Sequence, residues 1–336
     1  MKADLPAMSE SRSAISESRL RKVSLIILHI MLATALVSLS VLPASAQQRP
    51  RKPSAAASTK SLTIRTQANA LVWLDEVRRG AADAGGTLRI EKVATGRHTL
   101  RVRADGFGEK VQTLLPTQRG NIVVKLTPTT DEAELLFQQA EAAREKARDE
   151  AARREAAELY RQALGKRPRF PAARVGLARL LLDLNDYGAA FDELDEARNV
   201  RPVYPEATAV EGRILRADAD NVGAMAAFRR AIREARGFQP EAHTGLALVL
   251  EEKGRNEEAV AEFRTALVQL ADTEPVVYQL LGALYEKMEK YREAVAAYEK
   301  YLELAPEGNL APAVRSIIDQ LRRQAAEQEE SPPSQP

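Results

Sequence analysis

Residues 276–306 read VVYQLLGALYEKMEKYREAVAAYEKYLELAP. Tyr278, Leu281 and Tyr285 recur at helical spacing and make one apolar face. Gly282, on the same turn, has no Cβ, so a second helix can approach the first closely. Ala294 is the small residue that this second helix offers, Tyr298 fills the space between the two, and Pro306 stops the pair because it cannot continue a helix. A single hairpin of this kind cannot bury its own apolar face, so the stretch predicts further copies stacked against it.

The copies are present. Alanines equivalent to Ala294 fall at Ala259, Ala224, Ala190 and Ala156, at intervals of 35, 35, 34 and 34 residues. Four residues beyond each stands a bulky side chain, Phe263, Phe228, Leu194 and Tyr160. Twelve before each stands Ala247, Gly212, Ala178 and, in the first copy, Arg144. Alanine alone would be weak evidence in an alanine-rich chain, but several columns held in register over five copies are not. A polar first copy suits the end of a stack, which must face water.

The pattern Tyr278-x2-Leu281-Gly282-x2-Tyr285, with Ala294-x3-Tyr298 and Pro306, resembles the tetratricopeptide repeat, a unit of about 34 residues. The resemblance extends over residues 131–324: five hairpins and a last amphipathic helix, residues 311–324, that covers the fifth. It implies an all-α superhelix, an α-solenoid. Pro171, Pro205, Pro240 and Pro275 lead copies two to five, as suits a first helical turn. Residues 132–164 read as helix throughout, and the polar, Pro- and Ser-rich residues 325–336 as a disordered tail.

Ahead of the repeats the periodicity changes to two. Short alternating runs at Leu62–Ile64, Leu71–Leu74, Leu88–Ile90, Leu100–Val102, Val111–Leu115 and Ile122–Leu126, separated by Gly, Asn and Asp, predict a small all-β domain over residues 61–127. Ala70-x-Val72-x-Leu74-Asp75, then Val93-x2-Gly96-Arg97-His98 before a strand and Gly106-Phe107 after it, resemble the PEGA domain. That is a small β-sandwich of bacterial surface and envelope proteins. Two departures stand out. Gln67-Ala68-Asn69-Ala70 replaces the eponymous motif, leaving Asn69 to take a left-handed turn conformation, and Gly80–Gly86 replaces the usual Gly-Thr-Pro turn. The fold class expected is therefore multidomain α+β, a small all-β sandwich followed by an all-α tetratricopeptide superhelix.

The N-terminus bears on the compartment. Arg19, Arg21 and Lys22 precede an apolar run, Val23–Leu42, which ends in Pro43-Ala44-Ser45-Ala46 before Gln47. A positive flank, an apolar core and an A-x-A exit make a signal peptide of residues 1–46, with cleavage between Ala46 and Gln47. Left uncleaved, the run is long enough to anchor the chain as a membrane helix. Either way the rest is expected outside the cytoplasm, periplasmic or at the cell surface. Residues 47–60, rich in Pro, Ser and basic side chains, read as a flexible linker that could touch a membrane or wall surface.

Composition excludes several chemistries. The chain has no cysteine, so no disulfide, thiol catalysis or iron–sulfur cluster. Residues 1–46 hold five Lys/Arg and three Asp/Glu; against totals of 49 and 47, the remainder carries 44 of each. A nucleic-acid partner would call for a basic excess. No phosphate loop, zinc-protease or nucleophile-elbow motif is present, so no cofactor, metal, small-molecule substrate or enzymatic activity is expected. His98 is read as bracing a turn, His243 as packing between helices and Trp73 as half-buried on a sheet face. Acidic pairs such as Glu251-Glu252 and Glu257-Glu258 are read as solvated.

What remains is binding. By the tetratricopeptide resemblance, the first helix of each hairpin lines a concave groove through its positions two, five, nine, twelve and thirteen. Counted from each leading proline, these hold Arg179, Arg213 and Arg216 in copies two and three. Copies four and five place Thr244, Glu251, Gln279 and Glu286 there. The groove is thus expected to be basic toward its N-terminal half and acidic toward its C-terminal half, taking a segment of a protein partner, with the arginines gripping carboxylates. The Lys/Asn clamp of chaperone-binding relatives is missing. The function expected is a non-enzymatic protein–protein interaction scaffold of the bacterial cell envelope. The alternative is a protein that binds surface or wall glycan through the β-domain.

Overall fold

The computed structural model describes residues 59–330. The expected signal peptide with its Ala46–Gln47 junction, nearly all of the linker and the last six residues lie outside them.

Seven strands form two sheets around one core. β1 (Thr59–Arg65) is central in the first, antiparallel to β4 (Thr87–Ala94) and parallel to β7 (Gly120–Val123). The second runs β3 (Val77–Ala81), β2 (Leu71–Leu74), β5 (His98–Arg103) and β6 (Lys110–Leu114), all antiparallel. Alternate residues from both sheets meet inside: Leu62 and Ile64, Val72 and Leu74, Leu100 and Val102, with Ile90, Leu114 and Ile122. This is the period-two pattern expressed as burial. Asn69 takes φ 60°, the left-handed turn conformation expected of it.

β3 is not among the expected strands. Its sequence, VRRGA, carries no alternation of apolar and polar residues. The turn before it makes it a strand. Asp75 and Glu76 both have positive φ (52° and 64°), the backbone of a tight two-residue hairpin. His98 braces that turn: its Nδ1 lies 2.5 Å from one Asp75 oxygen, while the Thr99 amide donates to the other at 2.8 Å.

The rest is helical hairpins. They are α1 (Glu132–Lys146) with α2 (Glu150–Lys166), α3 (Pro171–Asp183) with α4 (Tyr187–Val200), α5 (Pro205–Ala217) with α6 (Asn221–Glu234), α7 (Pro240–Glu252) with α8 (Asn256–Leu270), and α9 (Val276–Lys287) with α10 (Tyr291–Leu304). α11 (Ala311–Glu330) closes the stack. Asp131, Asp149, Asp186 and Asp220 cap helix N-termini through their carboxylates, and proline occupies the first turn of α3, α5 and α7.

Two boundaries differ from expectation. Residues 132–164 are not continuous helix: the chain reverses after Lys146 and restarts at the Asp149 cap. Ala, Glu and Arg favour helix on both sides, so propensity is silent here. Burial of Phe137 and Ala140 against Ala156 and Tyr160 demands the turn. Residues 325–330, expected as tail, are helical, because α11 continues to Glu330. Ala311, Val314, Ile318, Leu321 and Ala325 form one buried stripe that carries the helix past Gln324.

The glycine column has a sharper meaning than close approach of backbones. A Cβ on Gly212 would lie 2.7 Å from the Phe228 ring, and one on Gly245, from the following hairpin, 2.3 Å from it. Phe228, fully buried, is thus held between glycines of two successive copies. Gly282 meets Tyr298 likewise at 2.8 Å, and Gly176 meets Tyr160 at 2.5 Å. In the first hairpin, where Arg144 replaces the small residue, Nε of Arg144 donates to the Tyr160 hydroxyl at 3.3 Å and that hydroxyl donates to Glu141.

Candidate partner-binding groove

The groove positions carry a ladder of ion pairs between copies. Arg179 on α3 donates through both Nη atoms to Glu241 on α7, at 2.6 Å each, and Arg213 on α5 joins the same carboxylate at 3.3 Å. Arg213 also lies 3.7 Å from Asp183. Arg216 pairs with Glu252 at 2.7 Å, and Glu251 with Lys287 at 3.4 Å. Burial works against the Glu241 carboxylate, but Arg179 and Arg213 hold it down to about 2. The acidic pairs are therefore tied to cations of neighbouring copies or turns: Glu257 pairs with Lys290 and Glu258 with Arg255, each at 2.7 Å.

The remaining positions fall at the C-terminal end. Thr244 and Gln279 are half-buried on α7 and α9. Glu286 accepts from the Tyr298 hydroxyl at 3.1 Å and borders a polar depression with Lys287, Tyr291 and Gln320. Arg179 and Arg213 are brought together on Glu241; Arg216, one turn on from Arg213, pairs with Glu252 instead, and Thr244, Gln279 and Glu286 do not share that carboxylate. His243 packs between helices with Nδ1 2.5 Å from Glu262 and Nε2 3.2 Å from the Gly237 carbonyl.

Counting along the repeat could also have found Gln138, Glu141, Glu206 and Glu241, which occupy positions two, five, two and two of copies one, one, three and four. Three of these face the β-domain. The Gln138 amide donates to the Phe107 carbonyl at 2.8 Å, and its oxygen accepts from the Gly106 amide at 3.1 Å. Glu141 feels the charge of Arg103; burial raises its carboxyl, and Arg144, Tyr160 and Arg103 together hold it below the usual range. Glu206 has the opposite fate: burial and then Glu76 push it up.

β3 makes the farthest reach. Val77, 5% exposed, belongs to the apolar cluster of copies three to five. Arg79 donates to the Leu270 and Gln269 carbonyls at 2.9 and 3.3 Å, satisfying the C-terminus of α8. Arg78 pairs with Glu145 at 2.7 Å. On β5, the Arg103 guanidinium lies 5.4 Å from the Trp73 ring and 4.5 Å from the Phe137 ring of α1, with Glu109 accepting at 2.6 Å. Arg101 covers Trp73 at 4.5 Å. Among the described residues, no group of three His, Asp or Glu could hold a metal ion, and no helix is long and apolar enough to cross a membrane.

Comparison with known proteins supports the repeat assignment. Three tetratricopeptide-repeat models match, over residues 147–214, 209–275 and 276–307. A thermophilic TPR protein of Thermus thermophilus is 22% identical, covers 56% of this chain and 98% of its own, and superposes with a TM-score of 0.48. The APC/C heterotetramer Cut9–Hcn1 is 16% identical, covering 57% of this chain and 36% of that one, with a TM-score of 0.49. YrrB, described as a TPR protein with an unusual peptide-binding site, is 18% identical, covering 56% and 94%, with a TM-score of 0.36. No curated protein matches the chain. Residues 147–307 are thus tetratricopeptide repeats, a unit that generally mediates protein–protein interaction and is typically non-catalytic.

Proposed function

We propose that this array of tetratricopeptide repeats, preceded by a PEGA-like β-domain, is a non-enzymatic scaffold of the bacterial cell envelope whose groove takes a segment of a protein partner. The observation that carries the reading is the row of first helices, α3, α5, α7 and α9, whose groove positions carry polar and charged side chains joined copy to copy. The two-sheet build, with Gly96-Arg97-His98 before β5 and Gly106-Phe107 after it, supports the PEGA-like assignment. Export is inferred from residues 19–47.

The test uses the chain from Gln47 onward as bait for envelope extract. Arg179 and Arg213 hold Glu241, so changing them would disturb stability along with binding. Thr244→Lys and Gln279→Lys alter the same face without breaking that cluster. Loss of a captured protein in the double variant, with the thermal midpoint kept, is the expected result; capture equal to wild type removes these positions from the groove. Fusing residues 1–60 to a phosphatase active only outside the cytoplasm tests export, and N-terminal sequencing should start at Gln47. The glycan reading would need an open aromatic platform, and the Trp73 ring is covered by Arg101.

A further inference from the structure

The β-domain lies against groove positions of the array, at Gln138, Glu141 and Glu206, and the seam between them is chemically lopsided. The β-domain contributes Arg78, Arg79, Arg101 and Arg103 around one aliphatic side chain, Val77. The array contributes Glu141, Glu145, Glu206 and Glu274, and the Gln269 and Leu270 carbonyls at the end of α8. Apolar contact there is small: of the β-domain's buried apolar residues, Val77 joins the array's core and the others fill the β-domain's own.

The closed seam also leaves polar atoms unsatisfied. Glu206 Oε2, Arg79 Nε and Arg101 Nε are buried with no hydrogen-bond partner in the protein, and Glu206 faces Glu76, a like charge. Buried polar groups are nearly always paired, because leaving one unpaired costs about 1–3 kcal/mol. An interface meant to stay shut would be expected to pair them. One that must exchange occupants can carry such a cost.

From this we infer that the β-domain is a displaceable occupant, and that the acidic face beneath it is a docking site for a partner segment of matching chemistry: an aliphatic residue followed by two arginines, as in Val77-Arg78-Arg79. The aliphatic side chain takes the place of Val77, the arginines reach Glu145 and the carbonyls of Gln269 and Leu270, and neighbouring cations meet Glu141, Glu206 and Glu274. The inference rests on the reading of the array as a protein-binding scaffold and adds the class of segment and the gate that controls it. Since the free groove is only fractionally populated, apparent affinity is lowered by that fraction and rises when the β-domain is released.

Because the chain has no cysteine, Asp105→Cys with Gln139→Cys gives a pair of labels across the seam. Val77→Asp removes the anchor and sets a carboxylate against the acidic face; Val77 is outside the β-domain's core, so that domain keeps its fold. The probe is a fluorescent cyclic peptide of residues 71–81. Val77→Asp is expected to lengthen the label distance and to bind the peptide at least tenfold more tightly than wild type, and a peptide with both arginines replaced by glutamate is expected not to bind. A distance unchanged in both Val77→Asp and Arg79→Glu, or a peptide affinity unaffected by opening, overturns the inference. Dimerisation of the opened chain without peptide assigns the face to a second copy's β-domain and overturns it too. An extract partner captured equally by closed and opened chains sinks this inference and spares the scaffold reading. Capture by neither sinks that reading while the peptide result stands on its own.

Discussion

Arg179 and Glu241 join copies two and four, spanning the helix between them, through two parallel N–H to carboxylate bonds of 2.6 Å. Such a fork is directional, so it sets the pitch of the array as well as its stability. A partner reaching for these arginines meets a carboxylate already in place.

The first prediction follows from that pair. The ordinary glutamate value is 4.5, and Glu241 is held at about 2, against the cost of burial, by Arg179 and Arg213. A depressed carboxylate contributes stability that is complete above its unfolded value and is lost as pH falls toward the folded one. Glu241→Gln should cost on the order of 2–3 kcal/mol at neutral pH and much less near pH 2. Denaturant melts at both pH values check it; an equal loss at both would show that the pair is not the source.

Position fifteen of copies two to five turns each hairpin with positive φ: Asn185 (61°), Ala219 (62°), Gly254 (73°) and Glu289 (58°). Alanine and glutamate are strained there and glycine is not. Ala219→Gly and Glu289→Gly should therefore each stabilise by about 0.5–1 kcal/mol, against the usual penalty for glycine, and Gly254→Ala should destabilise by about 1 kcal/mol. Thermal midpoints of the three variants decide it.

Phe228 between Gly212 and Gly245 predicts a coupling. Gly245→Ala puts a methyl group 2.3 Å from the ring, which cannot move away because Gly212 backs it from the other side. A loss of about 1–3 kcal/mol is expected. Phe228→Leu should be costly alone but should relieve part of the Gly245→Ala loss in the double variant. Additive losses would mean the ring and the glycine do not share the space.

The repeats were legible because their signal is local and recurs: an alanine, a bulky residue four on, a small one twelve before. The glycine at position six, Gly176 and Gly245, is equally visible in the sequence, but its meaning is not, because its partner is the aromatic of the preceding copy. The reversal at Lys146 was hidden by good helix formers on both sides. β3 was hidden because Arg78, Arg79 and Gly80 show no alternation; what they answer to is the array, with Arg79 and Leu270 separated by 191 positions. Groove arginines could be counted into place, and so could Glu241 at position two, but their pairing could not, since nothing in a single repeat says that copies two and four meet. Glu211 is a further case. It stands where the repeat pattern expects leucine, and the structure gives it Arg198 of α4 and Arg230 of α6 as partners.

That triad yields a fourth prediction. Glu211 sits at the seam between the two apolar clusters of the array, which divide at α5. Glu211→Leu restores the repeat pattern but leaves Arg198 with Asp195 alone, at 3.3 Å, and Arg230 with Glu234 alone, at 3.6 Å, so it should destabilise by about 1–2 kcal/mol. Combined with Arg198→Met and Arg230→Met, the same change should be neutral or stabilising, because desolvated ion pairs repay little of their cost. A leucine that stabilises on its own would mean that Asp195 and Glu234 suffice for the two arginines.

The last prediction concerns the seam between β-domain and array, and its sign is fixed by Glu206. Burial, and next the charge of Glu76, raise this carboxyl above 4.5; Arg101 and Arg201 face it too and lower it less. Burial raises Glu274 as well, with Arg78 opposing. A group whose value is raised in the closed state binds its proton more tightly there than when open. Closure therefore gains stability that is fully present below the ordinary glutamate range and is lost as pH climbs through the raised value. The label pair at Asp105→Cys and Gln139→Cys should report a closed distance in mild acid and a growing open fraction toward neutral pH. Glu206→Gln, neutral throughout, should weaken the pH response and leave the part that Glu274 gives. Glu241 titrates in the opposite sense and below this window, so it does not mask the effect. A distance that opens on acidification instead would mean that another group governs the seam.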